Sequence, residues 1–320
     1  MSVNPFTADP AIRDRIEALS GRIGPALTGE IATRLQSSRT ATDANTGSVL
    51  AKTDVDALRT VFGLNSVEEL MLVALPAAQK LASPPISKFF VGAVGLEAES
   101  GDLIFGGNVE FVGTHLGLTL HGEGFVFTRA FSRGTSIAVI AIGEAHPCAH
   151  CRQYLSEFAA ARQLMLIDPL GHRLTMAELY PWPFDPAYLG EPGIIAGAVP
   201  FPALELEPST LGAPVAARLR TAIRRAHAPY SKCPASVVLT LKDGNVIAGS
   251  AIESVAFNPS IGPLQAAIVD LLAHGYGYDD IASAALATRP GGAVDYGRSV
   301  GELLAAIAPE ASLTVVEWHN

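Results

Sequence analysis

Apolar residues at Ile12, Ile16, Leu19 and Ile23 recur at helical spacing behind Asp9-Pro10, an N-cap followed by a first-turn proline. They predict a helical N-terminal segment over roughly the first 75 residues, interrupted by a loop at Asn45-Thr46-Gly47-Ser48. Ser66 and Glu69 stand as a capping box for a helix that runs towards Lys80 and stops at Pro84-Pro85. From Phe89 onward the period changes. Residues 90–96 and 103–105 read as strands joined by a turn at Glu99-Ser100-Gly101-Asp102. A helix over 121–131, a buried strand over 137–142, a helix over 148–161 and a strand over 164–167 follow. Strands alternating with helices indicate a layered α/β domain.

Residues 180–202 carry Pro181, Pro183, Pro186, Pro192, Pro200 and Pro202 and read as a linker. Beyond it the pattern restarts. His227-Ala228-Pro229-Tyr230-Ser231-Lys232 echoes Ser83-Pro84-Pro85-Ile86-Ser87-Lys88, and residues 242–249 echo 99–106. Carried forward without gaps, that register puts Glu253 on Glu110, Leu264 on His121 and Ala266 on Glu123. The second copy would then keep the fold and serve in packing.

Composition narrows the classes. The chain has 320 residues, 49% hydrophobic and 17% charged, which suits an extensive core and an apolar subunit interface. Its formal net charge of −9 and the absence of a basic stripe argue against a nucleic-acid partner. Arg218, Arg220, Arg224 and Arg225 read as an exposed helix face. Three cysteines form no disulfide framework, and Met1-Ser2-Val3-Asn4-Pro5 opens no signal peptide. No apolar run reaches membrane-spanning length, so a cytoplasmic protein without a membrane partner is expected.

The chemistry lies in His121-Gly122-Glu123 and Pro147-Cys148-Ala149-His150-Cys151. His121, Cys148 and Cys151 supply three ligands for one zinc ion per chain. Three protein ligands leave a tetrahedral zinc one open position, as in catalytic sites. Glu123, two residues beyond His121 at a helix start, can approach that position without ligating, and there act first as base and then as acid. The arrangement matches the His-x-Glu…Pro-Cys-x-x-Cys signature of zinc nucleobase deaminases. Arg152 is a candidate donor to a ligand thiolate. His115, His146 and His150 read as surface groups or groups behind the ligands, and Cys233 as a buried small residue.

With these motifs in place the chain resembles the zinc-dependent cytidine deaminases of the long bacterial homodimeric type. The resemblance also rests on residues 85–94, on Phe105-Gly106-Gly107-Asn108-Val109-Glu110-Phe111, on Cys151-Arg152-Gln153, and on Asn258-Pro259-Ser260-Ile261-Gly262-Pro263-Leu264-Gln265. It implies a three-layer α/β/α cytidine-deaminase-like domain, duplicated behind the N-terminal helical segment. The expected division is residues 1–75 (helical), 76–190 (catalytic) and 191–320 (non-catalytic). It further implies hydrolytic deamination of cytidine and 2′-deoxycytidine in pyrimidine salvage. Asn108 and Glu110 would bind the ribose 3′-hydroxyl, Phe89 would pack on the pyrimidine, and the backbone near Gly122 and His146 would meet the base. A homodimer with a shared active site is expected.

One departure stands out: family members place alanine, glutamate and a bulky polar residue after the histidine, where this chain has Gly122-Glu123-Gly124. Two glycines in a first turn loosen the aim of Glu123. They keep open a related modified cytosine nucleoside as substrate; a non-catalytic, zinc-retaining nucleoside-binding protein is a separate alternative.

Overall fold

The computed structural model describes residues 6–37, 46–143, 146–289 and 291–319. The expected loop at 45–48 begins, and the residues read for a signal peptide lie, outside these residues.

A helical segment leads: α1 (Pro10–Ser37), α2 (Lys52–Phe62), α3 (Val67–Val73) and α4 (Leu75–Gln79), with the short strand β1 (Val49–Leu50) between the first two. The single helix expected from Ser66 to Lys80 is divided at Ala74, because Pro76 in the first turn of α4 has no N–H for a continuous ladder. Only half of the expected capping box forms. Ser66 accepts from the Glu69 N–H at 3.1 Å, while the Glu69 carboxylate turns to Arg15 and to the Asn65 N–H.

Two sheets follow. The first contains β2 (Gly92–Glu97), β3 (Leu103–Gly107), β4 (Ile137–Ile142), β5 (Met165–Ile167) and β6 (Arg173–Thr175), in the order β1-β3-β2-β4-β5-β6. The second contains β7 (Glu205–Leu206), β8 (Ser236–Leu241), β9 (Val246–Ser250), β10 (Ile281–Thr288) and β11 (Ser312–His319), in the order β7-β11-β10-β8-β9. In each half a hairpin (β2–β3, β8–β9) pairs antiparallel with the next strand, and that strand pairs parallel with the one after it. The duplication read from sequence is therefore repeated in topology.

Helix α5 (Gly122–Arg133) packs against the first sheet and α9 (Pro263–Ala273) against the second. Strand alternation sorts the side chains into layers. Val94, Phe105 and Ala141 face α1–α4. Ala93, Ile104 and Ile140 join α5, α9 and the inner face of the second sheet, with Val237, Leu239 and Leu286. Val238, Ala285 and Trp318 meet α8 (Ala213–Arg225) on the far side. Two three-layer units thus share a middle layer of helices. In each, a glycine at an equivalent strand position, Gly106 and Gly249, lets the helix approach so closely that a Cβ would strike Phe125 or the α9 backbone.

The gap-free repeat register needs correcting. Val109 bridges Leu120, and Ile252 bridges Ile261; the second connection is two residues shorter than the first. The helix caps then align His121 with Gly262 and Glu123 with Leu264, in place of Leu264 and Ala266. The second copy still lacks both the ligand and the carboxylate.

Two further expectations change. The helix read over 148–161 is only α6 (Ala149–Leu155). Beyond it the Glu157 carbonyl and the Ala159 N–H pair with Ile194 in place of a helical ladder. For the same reason residues 180–202 are no free linker: the Tyr180 hydroxyl and the Phe184 N–H both donate to Gln153 Oε1. The arginines of α8 are also more engaged than an exposed face would be. Arg224 donates to the Leu204 carbonyl and Arg225 to that of Phe131. No described helix is long and apolar enough to cross a membrane.

Candidate active site

The Leu120–Val109 bridge carries the chain to the mouth of α5, where His121 is the N-cap in extended conformation (φ −87°, ψ 164°). Glu123 follows in the first turn, almost fully buried. The chain leaving β4 reaches Cys148 as the N-cap of α6, with Cys151 in the first turn of that helix. Two helix starts therefore converge, and their N–H dipoles favour negative charge on the thiol and carboxyl groups.

Cys148 Sγ lies 3.6 Å and Cys151 Sγ 3.4 Å from His121 Nδ1, and the three donor atoms all lie within 4.8 Å of one another. A tetrahedral zinc with Zn–N of about 2.0–2.1 Å and Zn–S of about 2.3 Å separates nitrogen from sulfur by roughly 3.6 Å. Spacing and donor chemistry both fit zinc. The group of His121, Cys148 and Cys151 predicted from sequence is brought together.

A hydrogen bond from the Cys151 thiol, and another with His121, pull the Cys148 thiol down to about 3. The same bond and burial push Cys151 well up, and the bond to Cys148 raises His121 against the effect of burial. Burial also raises Glu123, opposed by the N–H of its own helix turn and by His121. A carboxyl held above its ordinary range beside a metal-ligand cluster is equipped to pass protons.

Asn108 and Glu110, both buried, close off the segment before β2. Asn108 Oδ1 accepts from the Val91 N–H (2.9 Å) and its amide donates to the Phe89 carbonyl (2.8 Å). Glu110 Oε2 accepts from the Ile86 and Ser87 N–H groups at 2.9 Å, and Oε1 from the Ser87 hydroxyl at 2.5 Å. Burial opposes ionisation of Glu110, but these donors hold its carboxyl below the ordinary range. The Phe89 side chain is half-exposed.

Arg152 does not reach a thiolate. It donates to the Pro147 carbonyl (2.8 Å) and the Leu179 carbonyl (2.7 Å), fixing the backbone before the ligands; adjacency in sequence to Cys151 was misleading. His150 Nε2 lies 3.1 Å from the Asn258 carbonyl, and Cys233 is buried as expected. His146 turns away from the cysteines to Asp168, a partner that nothing in the local sequence announced. A cavity beside the cluster is lined by Thr119, His121, Gly124, Cys151, Tyr154 and Ile261, the last from the second half. A side chain at Gly124 would meet nothing within 4 Å, whereas one at Gly122 would meet Ala93 at 3.2 Å.

Comparison with known proteins agrees with this geometry. The family described as "Cytidine and deoxycytidylate deaminase zinc-binding region" matches residues 64–167 and again residues 204–299. Over 249 residues the chain is 36% identical to a cytidine deaminase of Photobacterium profundum, covering 78% of this chain and 82% of that protein. A cytidine deaminase of Vibrio atlanticus is 34% identical over 249 residues (77% and 82%). One of Proteus mirabilis is 36% identical over 232 residues (72% and 77%). Both halves align with the family, but among the described residues a histidine–cysteine cluster is built only in the first. The chain belongs to the cytidine and deoxycytidylate deaminase zinc-binding family, as a duplicated member whose histidine–cysteine cluster lies in the first half.

Proposed function

We propose that this protein is a zinc-dependent hydrolase that converts cytidine and 2′-deoxycytidine to uridine and 2′-deoxyuridine with release of ammonia. The observation that carries the reading is the buried Glu123 carboxyl beside the converging His121, Cys148 and Cys151 donors. Those three residues would hold the zinc, which when bound supplies Lewis-acid activation of a water. Glu123 accepts a proton from the attacking water on a carboxylate oxygen and delivers it to ring N3. It then takes the second proton from the hydroxyl now on C4 and delivers it to the amine, which leaves as ammonia as the C4–N bond breaks and the C4 oxygen becomes the carbonyl. Its burial excludes competing solvent from that exchange.

Substrate positioning falls to the first half. Asn108 and Glu110 retain acceptor capacity towards a ribose 3′-hydroxyl while they hold residues 86–91, and Phe89 offers an aromatic face to the pyrimidine. A carboxylate at that place disfavours a 5′-phosphate. We divide the chain into a helical segment (1–75), a catalytic domain (76–190) and a non-catalytic duplicate (191–320). Ile86, Phe89 and Phe90, about half-exposed beside the site, support a homodimer that covers them with a partner subunit and shares the active site. A cytoplasmic location suits a salvage enzyme with this cysteine usage.

The test is the ultraviolet change when zinc-loaded protein meets cytidine, beside Glu123→Ala. Conversion that the variant lacks is expected; no conversion by zinc-loaded wild type would sink the reading. The open space at Gly124 favours one second reading, a deaminase of a bulkier modified cytosine nucleoside. Turnover of such a substrate in preference to cytidine would support it.

A further inference from the structure

We propose that His146, Asp168 and His172 form a second metal site, separate from the cysteine cluster, that takes one divalent first-row transition ion such as zinc or cobalt. His146 Nε2 lies 2.8 Å and His172 Nδ1 2.7 Å from the same oxygen, Asp168 Oδ2. The donor atoms of the three residues all lie within 4.8 Å of one another.

The carboxylate is fixed before any ion arrives. Asp168 Oδ1 accepts from the Leu170 N–H (2.9 Å) and the His172 N–H (3.0 Å), which orients the group and leaves Oδ2 aimed at the two imidazoles. Asp168 is buried, His172 mostly so, and the His146 side chain is 45% exposed, which provides an entry side. The rings stand edge to face with centroids 5.2 Å apart, so their nitrogens converge while the rings themselves do not stack.

Two imidazoles and one carboxylate form a borderline donor set, suited to zinc, cobalt, nickel or iron and poorly to calcium or magnesium. An ion about 2.1 Å from each donor, with donors at right angles, spaces them about 3.0 Å apart, slightly more than the 2.8 and 2.7 Å from Asp168 Oδ2 to the two imidazole nitrogens. Two-histidine, one-carboxylate sites leave further positions open for water or an anion. A bound ion would tie the chain just before Pro147 and Cys148 to the β5–β6 turn.

Untagged protein with its cysteine site filled is dialysed against excess zinc, and metal per chain is counted. Two zinc ions per chain are expected in the wild type, and one in His172→Ala or Asp168→Asn. Cobalt added to the zinc-filled protein should give ligand-field bands without thiolate charge transfer, and both variants should lose them. His146→Gln, at the exposed member, serves the same comparison if a buried substitution fails to fold. A wild type that stops at one zinc, or variants that bind as much as wild type, would overturn the site and leave a hydrogen-bonded trio. Charge-transfer bands on replacing the first zinc report the cysteine cluster separately.

Discussion

Arg129 Nη1 donates to Asp270 Oδ1 at 3.0 Å, and through this pair the helix that carries Glu123 is fastened to its counterpart in the second half. Both side chains are buried, and the burial that pushes the Arg129 guanidinium down is opposed by Asp270. Asp270→Asn leaves a buried guanidinium without its counter-charge, and a loss of about 3–5 kcal/mol is expected. Chemical unfolding monitored by circular dichroism measures it; a change under about 1 kcal/mol would mean that the halves are held together elsewhere.

Glu97 and Arg133 make the analogous pair at the far end of α5, at 2.6 and 3.0 Å, with Ser100 and Thr135 also donating to the carboxylate. Burial works against the charge, yet these donors hold the carboxyl below its ordinary range. The folded value is depressed, so the contribution is complete above the unfolded pKa of about 4.3 and fades as pH falls through the folded one. Glu97→Gln should therefore cost stability at neutral pH and flatten the acid limb of the stability curve. Melting temperature against pH for both proteins decides it, and parallel curves count against the pair.

Gly124→Gln should preserve or raise turnover of cytidine. The position is open on the cavity side, and removing a glycine from a helix is worth about 1 kcal/mol. A large fall in kcat would mean that the space itself is used by a bulkier substrate.

Glu110 and Glu253 make a matched pair for mutagenesis. Glu253 accepts from the Tyr230 and Ser231 N–H groups and from the Ser231 hydroxyl, as Glu110 does from Ile86 and Ser87. Glutamine at either should cost about 1.5–3 kcal/mol of stability, the worth of a hydrogen bond to a charged group. Only Glu110→Gln should also raise KM, by about tenfold for one lost polar contact of roughly 1.4 kcal/mol. Equal KM values for both variants would remove Glu110 from sugar binding.

The legible parts of this chain were those written locally. The strand at Ile137–Ile142 is a short apolar run with clear ends, and His121, Cys148 and Cys151 announce themselves by residue type and spacing. What was misread depended on distant partners. Residues 156–161 look helical, yet Glu157 gives its carboxylate to His227 and its carbonyl to Ile194, and the helix stops. Arg152 lies beside a ligand in sequence but finds carbonyl groups in space. The repeat register slipped because the shorter connection after Ile252 carries no mark of its own. Asp168-Pro169-Leu170-Gly171-His172 does carry a turn signature, but nothing local joins it to His146.

The left-handed lysines show what such a duplication records. Lys88 and Lys232 both take positive φ (58° and 55°), a conformation that costs a side-chain-bearing residue about 1–2 kcal/mol. Each N–H is caught by the carbonyl four residues back, Pro84 and Ala228. The second half has Gly262 and Leu264 where the first has His121 and Glu123, yet it contains the same strained turn and the glutamate that clasps it. It therefore acts as an internal control built into the molecule. A feature shared by both halves has a folding role whatever else it does, as with Glu110 and Glu253, whereas one confined to the first half has no such counterpart. By that criterion the turn belongs to the scaffold, whereas Asn108, whose place is taken by Ala251, is confined to the first half.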